Sequence, residues 1–360
     1  MPDVKLINAT DIMAWREVLD KFIDVDTYHL PEYHLVAKSV NEGEPYIFVY
    51  QDNERYAALP FLVRKLADVG GLADYSFYDA TSVYGYPGVL TTVDENANVA
   101  RDFKIGFQTA LLEVFDNLKI ITFFSRTNPL FPTSWLMDNI ADIISMGKTV
   151  AIDLRRSNND QIKDISKGHK YDISKARKNG VYVIEDYSFR YIDQFILMYN
   201  ETMNRVNSNS YYFFPKDYYN NIKKRLDGSV RLYFAKIGEE FVSASIFLCS
   251  DRIIQYHLSG VFSKYIKFSG AKVILDEIRQ WGSKNRLKWL FLGGGLGSDD
   301  GLFRFKAGFS KLRLPFQIIR MVRNSSIYEE LCFRHDKWLM DNCFECLDKK
   351  YFPRYRATYK

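Results

Sequence analysis

The chain has 360 residues, 47% hydrophobic and 26% charged, an ordinary globular composition that is long for a single core, so two domains are expected. No run of about 18 apolar residues occurs, which excludes an apolar helical span, and the charged, amphipathic N-terminus lacks a signal-peptide core. Four cysteines without such a signal argue for reduced thiols and a cytoplasmic protein, and the net charge of +5 suits phosphorylated partners such as nucleotides, tRNA or anionic lipid head groups without demanding them.

The first 45 residues read as helix and loop. Trp15, Val18, Leu19 and Phe22 share one helical face, and a second apolar helix, Tyr33 to Ala37, is followed by Lys38, which composition alone makes a solvated lysine. Tyr46 to Tyr50 and Tyr56 to Arg64 read as a β-hairpin. The segment 79–88 mixes small, hydroxylated and aromatic residues with turn formers. It is either a sugar- or peptide-binding surface carrying Asp79, Ser82, Tyr84 and Tyr86, or an ordered tyrosine-rich loop. A helix from Phe103 precedes the buried strand Ile120 to Phe124. Arg126 stands just beyond that strand's carboxyl end, a usual place for ligand contacts in α/β proteins, although a surface arginine fits equally.

Gly147 to Leu154 is expected to be a strand, and Asn159 to Lys178 one helix stopped by Gly180. Lys170, Lys175 and Arg177 belong to the cationic faces of that helix, which suit either a phosphate backbone or plain solvation. The helix Ile192 to Met203 leads to an aromatic segment, Tyr211 to Tyr219. Strands at 230–237, 240–249 and 252–259, a helix at 269–282 and a strand at 289–292 complete the second half. Strands, then helix, then strand recur in both halves, so the chain reads as two copies of one α/β plan.

The stretch after that last strand, LFLGGGLGSDDGLFRFKAGF, is the most pointed in the sequence. Gly293, Gly294, Gly295 and Gly297 let a bound group approach the backbone, and Ser298 and Asp299 are placed to cap a short helix on which Leu302, Phe305, Lys306 and Phe309 share a face. Lys306 is then a partly desolvated cation suited to a phosphate or a developing oxyanion; the alternative is a tight turn and a core helix with a snorkelling lysine. No phosphate loop of the G-x-x-x-x-G-K-[ST] type is present, and Ser298 and Asp300 occupy the third-glycine places of a dinucleotide fingerprint. No nucleophile elbow, triad or carboxylate metal cluster is visible, so any chemistry rests on positioning and electrostatics. Cys332, His335, Cys343 and Cys346 supply four zinc-competent ligands, but the surrounding Trp338, Leu339, Phe344 and Leu347 also read as a packed helix face.

The succession DATSVYGYPG (79–88), FFSRTNPLF (123–131), ISKGHKYDISKARKNGV (165–181), YHLSG (256–260) and LGGGLGSDDGLFRFKAGFS (292–310) resembles the FemABX-like proteins. The resemblance implies a mixed α/β fold of two tandem GNAT-like domains packed side by side, expected here at 1–154 and 155–320, with a helical C-terminal extension at 321–360. It implies transfer of an acyl group to an amine of a nucleotide- or lipid-linked cell-wall or surface-polysaccharide precursor, in a cleft between the domains. Aminoacyl-tRNA is the favoured donor and acyl-CoA the alternative, with no other cofactor and no metal. A non-catalytic carbohydrate-binding module is the remaining reading.

Residue by residue, the resemblance implies that Phe305 and Lys306 lie near the reacting ester, and that Lys38 and Arg205 hold the acceptor's diphosphate. Asp299 or Asp300 is a candidate base, unless the amine is deprotonated by the substrate itself. Asp79, Ser82, Tyr84, Tyr86, Arg126, His257, Gly294 and Gly295 are the other expected acceptor contacts, and Lys170, Lys175 and Arg177 the donor contacts. Expected partners are a small or lipid-linked amino-sugar or peptide, tRNA, and a transient inner-membrane surface. The coiled-coil arm of some relatives is missing, because no sustained heptad charge pattern occurs.

Overall fold

The computed structural model describes residues 2–295, 300–348 and 350–360. Residues 1–23, 28–146 and 316–360 form one compact unit, and residues 24–27 and 147–315 the other. This differs from the expected three-part division: the C-terminal residues fold into the first unit and are not an appendage.

In the first unit, β1 (Asp3–Asn8), β2 (Glu44–Asp52), β3 (Arg55–Lys65) and β4 (Tyr78–Thr81) are successive antiparallel neighbours, with α1 (Ile12–Leu19) and α2 (Pro31–Ser39) between the first two. The short β5 (Leu90–Thr91) pairs with β3. The chain then crosses through α3 (Ala100–Asn117) to β6 (Ile120–Arg126), which lies parallel to β4. Phe103, Phe107, Leu111 and Phe115 recur at helical spacing on α3 and are buried against Phe48, Phe61 and Phe123 of the sheet.

The second unit repeats the plan. Its main segment begins within β7 (Asp142–Asp153), at Gly147, and continues through α4 (Asn158–Asp164), α5 (Lys167–Lys178) and β8 (Val181–Glu185), then α6 (Ile192–Arg205) and α7 (Lys216–Arg225). Three antiparallel strands follow, β9 (Val230–Ile237), β10 (Glu240–Cys249) and β11 (Ile253–Val261). The chain crosses through α8 (Gly270–Lys284) to β12 (Trp289–Gly293), parallel to β11 and antiparallel to β7, and then enters α9 (Gly301–Ala307). Val273, Ile274 and Ile278 of α8 pack with Val150, Phe247, Leu290 and Leu292 in this unit's core.

The last strand, β13 (Arg313–Val322), returns to the first unit and pairs antiparallel with β6; α10 (Ser325–Asp341) then packs Leu331 and Cys332 on Leu66, Val69 and Ile121. Trp338 sits so close to Gly70 that a Cβ there would stand 2.5 Å from its ring.

The single helix expected over 159–178 is two. Ile165 is extended and buried, Ser166 caps the nitrogen of His169, and its own N–H donates to Gly308 O at 2.8 Å, so the break is imposed by a tertiary contact. Neither β1 nor β4 was expected as a strand. Among the described residues, no helix is long and apolar enough to cross a membrane.

Candidate functional site

The parallel pairing of β11 with β12 stops at Gln255 and Phe291, while β11 runs on to Val261 and β12 to Gly293, so the two strands part at their carboxyl ends. Such a fork is where α/β folds admit ligands. On its β12 side, Gly293 adopts φ +76, a conformation glycine takes without strain, and Gly294 and Gly295 follow. Lys306, on α9, donates from Nζ to the Gly294 carbonyl at 2.6 Å. Its side chain is 9% exposed, and burial lowers the ammonium to about 8, with the carboxylate of Asp300 opposing that shift.

Asp300 is the N-cap of α9, accepting from Phe303 N at 2.7 Å. A Cβ on Gly295 would stand 2.5 Å from the Asp300 carboxylate, so the glycine is needed for this close approach. Asp299, Ser298 and Gly297 lie outside the described residues; the cap expected from Ser298 or Asp299 is supplied by Asp300. Phe305 packs its ring 5.8 Å from His169, whose Nε2–H donates to the Phe305 carbonyl at 2.8 Å. The start of α5 is thereby tied to the segment carrying Lys306.

On the β11 side of the fork the register with β10 shifts between Ile246 and Phe247, whose partners are Leu258 and Tyr256. His257 is the extra residue of that bulge, a device that re-aims a side chain. Its Nε2 is hydrogen-bonded to Tyr218 Oη at 2.9 Å, and Phe214 stacks on Tyr218 with ring centroids 4.2 Å apart. Burial pushes the imidazole down to about 3, so His257 is neutral at pH 7.

The cations of the second unit divide by what holds them. Arg177 pairs with Asp276 at 2.9 Å and Arg205 donates to Val261 O and Ser263 Oγ at the end of β11. Lys170 reaches Ile162 O at 3.4 Å, and Lys175 lies over the exposed ring of Tyr171.

In the first unit, Ser82 follows the carboxyl end of β4 and Arg126 ends the parallel strand β6, and the two are in contact. Asp79 is fully buried and binds two guanidinium groups, Arg64 at 2.7 Å and Arg356 at 2.8 Å, so its oxygens serve a structural ion triad. Lys38 pairs with Glu44 at 2.7 Å. Ser82 donates its N–H to Phe124 O and receives Arg126 N at Oγ, at 2.9 and 3.4 Å. The Tyr84 carbonyl accepts from Tyr33 Oη, and Tyr86 packs edge-on to Phe316. Arg126 lies over the rings of Tyr84 and Phe124, 5.8 and 6.0 Å from their centroids.

Sequence reasoning passed over Glu42, in the turn before β2. Burial raises its carboxyl to about 7, with Arg64 and Arg126 opposing. No spacing rule marks it, because its environment comes from β3 and β6. In the C-terminal segment, His335 donates from Nδ1 to Gly70 O at 2.8 Å and stacks on Trp338, while Cys332 is buried and Cys343 exposed. Among the described residues, no three His, Cys, Asp or Glu side chains are grouped to hold a metal ion.

Comparison with known proteins agrees with this architecture. Residues 166–306 match the family described as Acetyltransferase (GNAT) domain. Among solved structures the chain is similar to FemX, at 11% identity and a TM-score of 0.67, covering 91% of this chain and 99% of that one. It is also similar to the C-terminal domain of a putative lysylphosphatidylglycerol synthetase from Agrobacterium fabrum, at 12% identity and TM-score 0.54, covering 92% and 97%. A third likeness is to L-PGS from Bacillus licheniformis, at 13% identity and TM-score 0.54, covering 89% and 95%. No curated protein sequence matches the chain. Identities this low speak for the fold, and the family match speaks for the chemistry: residues 166–306 form a GNAT-type acetyltransferase domain, and the chain is an acyltransferase.

Proposed function

We propose that the chain transfers an aminoacyl group from aminoacyl-tRNA to an amine of a nucleotide- or lipid-linked cell-wall or surface-polysaccharide precursor. The observation that carries the reading is Lys306, a buried ammonium fixed on the Gly294 carbonyl beside the fork of β11 and β12. The acceptor nitrogen attacks the ester carbonyl, the C–N bond forms, and the ester C–O bond breaks. The proton lost by the amine passes to the departing ribose oxygen. Lys306 stabilises negative charge on the oxyanion or on the adjacent phosphate, the role an ammonium in a low-dielectric site performs best. Phe305 supplies an apolar wall, and the resemblance to FemABX-like proteins at residues 292–310 supports a terminal adenosine there.

A second reading keeps the chemistry and changes the donor to acyl-CoA. The acetyltransferase description of residues 166–306 favours it. The pyrophosphate loop R-x-x-G-x-G/A does not stand before the fifteen-residue α8, which counts against this donor. A donor screen separates the two. Charged tRNA and acyl-CoAs are offered with candidate amino-sugar nucleotides and peptides, and products are read by mass. The tRNA reading requires RNase-sensitive turnover that weakens with salt. Acylation by acyl-CoA in RNase-treated protein establishes the second reading instead. Lys306→Met is expected to abolish turnover while the chain stays folded; full activity in that variant removes the assignment.

A further inference from the structure

α9, the helix that carries Lys306, has 7 residues, too few to hold as a helix without support from the rest of the fold. The last carbonyls of a helix find no partner within it, and here groups outside α9 supply the partners. His169 Nε2–H donates to Phe305 O at 2.8 Å, Arg313 Nη2–H to Ala307 O at 3.2 Å, and the Ser166 N–H to Gly308 O at 2.8 Å. Phe305 and Ala307 are the chain neighbours of Lys306, so its backbone is held on both sides. Each holder is itself fixed. The His169 ring packs on Phe305 and Phe309, with centroids 5.8 and 4.8 Å away, and its backbone N–H is capped by Ser166 Oγ. Burial lowers the imidazole, and the two charges facing it, Lys272 and Asp172, pair with each other at 2.5 Å. Arg313 also donates to Ser310 O and Leu312 O at 2.7 and 3.1 Å and lies over the ring of Phe303; among the described residues it makes no ion pair.

A partly desolvated guanidinium whose partners are carbonyls is costly, and a lysine side chain loses rotamer freedom when one geometry is imposed on it. Both costs fall at one place, the end of a short helix from which Lys306 reaches Gly294 O at 2.6 Å. We infer that His169 and Arg313 are positioning residues that act through the backbone of Phe305 and Ala307 to keep the Lys306 ammonium on the Gly294 carbonyl. The inference rests on the proposed function in taking Lys306 as the group that stabilises the oxyanion or phosphate. Such stabilisation depends on a donor already in place when charge develops, so a loosened α9 lowers turnover and spares acceptor binding.

The test reads Lys306 directly in the full chain, by pulse acetylation with limiting acetic anhydride from about pH 7 to 11, followed peptide by peptide by mass spectrometry. Only the free amine reacts, so the midpoint of labelling against pH reports the ammonium. Lys311, its side chain 77% exposed, is the reference for an open lysine, and Lys236, 12% exposed, the reference for a covered one in the same unit. In the wild-type chain Lys306 is expected to titrate at about 8 and to label more slowly than Lys311. His169→Phe keeps a ring and loses the donor, so Lys306 labelling should rise about tenfold against Lys311 and its midpoint should climb toward 10.5. Arg313→Gln should do the same. His169→Gln keeps an N–H donor for the Phe305 carbonyl and should stay near wild type. In turnover with the donor found active, His169→Phe and Arg313→Gln should lower kcat about tenfold with the acceptor KM unchanged. Unchanged labelling and midpoint in both variants, a His169→Gln chain as open as His169→Phe, an equal rise at Lys236, or a wild-type kcat in both variants overturns the inference. Labelling needs no turnover, so the two readings fail separately. An active Lys306→Met chain removes the role of Lys306, whereas an inactive one beside unchanged labelling in the His169 and Arg313 variants keeps Lys306 and removes its holders.

Discussion

Gly308 lies under the imidazole of His169, so close that a Cβ built on the glycine would stand 2.4 Å from Nε2. That Nε2–H is the one that bonds the Phe305 carbonyl, and the His169 ring meets Phe309 edge-on, with centroids 4.8 Å apart. Gly308 has ordinary helical backbone angles, so what the position requires is the absence of a side chain.

Gly308→Ala is therefore expected to destabilise the chain by about 1–3 kcal/mol, the usual cost of overpacking. Alanine's helical preference, roughly 0.5–1 kcal/mol, is too small to reverse the sign. A urea midpoint unchanged from wild type would contradict the contact. Adding His169→Ala should restore part of the loss by vacating the space.

Lys306 makes stability depend on pH in a definite direction. Its folded value is about 8 against the usual 10.5, so between those values the unfolded chain holds a proton the folded chain has released, and stability rises with pH through that window. Below pH 8 the whole penalty, roughly 3 kcal/mol, is present, offset by about 1 kcal/mol from the bond to Gly294. Lys306→Met should be more stable than wild type at pH 7 by about 2 kcal/mol, and the advantage should shrink by pH 9.5. Urea unfolding at the two pH values measures it. A variant less stable than wild type at pH 7 would show that the ammonium is not desolvated.

Much of the architecture was legible because it depends on local pattern. The face Phe103, Phe107, Leu111 and Phe115 marks α3, and the apolar run ending at Leu292 marks β12. The strand β1 was not legible: as an exposed edge paired only to β2, it carries no buried alternation. Nor was the role of Asp79, which in sequence sits among hydroxyl and aromatic residues and resembles a ligand contact. Its second partner, Arg356, is 277 positions away. Glu42 was hidden for the same reason, its burial and charge environment arriving from distant strands. The burial of Lys306 was legible because Phe305, Lys306 and Phe309 share one short helical stretch, whereas the cap expected on Ser298 or Asp299 falls on Asp300.

The Asp79 triad is expected to be structural. Removing the one anion between two partly buried guanidinium groups leaves both uncompensated, so Asp79→Asn should cost about 3–5 kcal/mol. Arg356→Gln should cost less, because Asp79 keeps Arg64. Thermal unfolding checks the order of the two variants. An Asp79→Asn chain that melts with wild type but fails to bind acceptor would instead make Asp79 a ligand contact.

Two histidines predict acid sensitivity. Burial lowers His34 and His257 to about 3, so each is neutral in the folded chain while its unfolded counterpart takes a proton below about 6.5. Stability from each is fully present above 6.5 and is lost as pH falls toward 3. At pH 5 the loss is about 2 kcal/mol per histidine. His257→Gln can keep a hydrogen bond to Tyr218 while removing one titrating group, so its fall in stability between pH 7 and 5 should be smaller than wild type by about 2 kcal/mol. Tyr218→Phe keeps the imidazole and should retain most of the acid sensitivity, although its stability at pH 7 should drop from the lost hydrogen bond. Urea midpoints at both pH values decide the matter: if His257→Gln loses as much stability as wild type on acidification, His257 is not the buried neutral group that the bulge in β11 encloses.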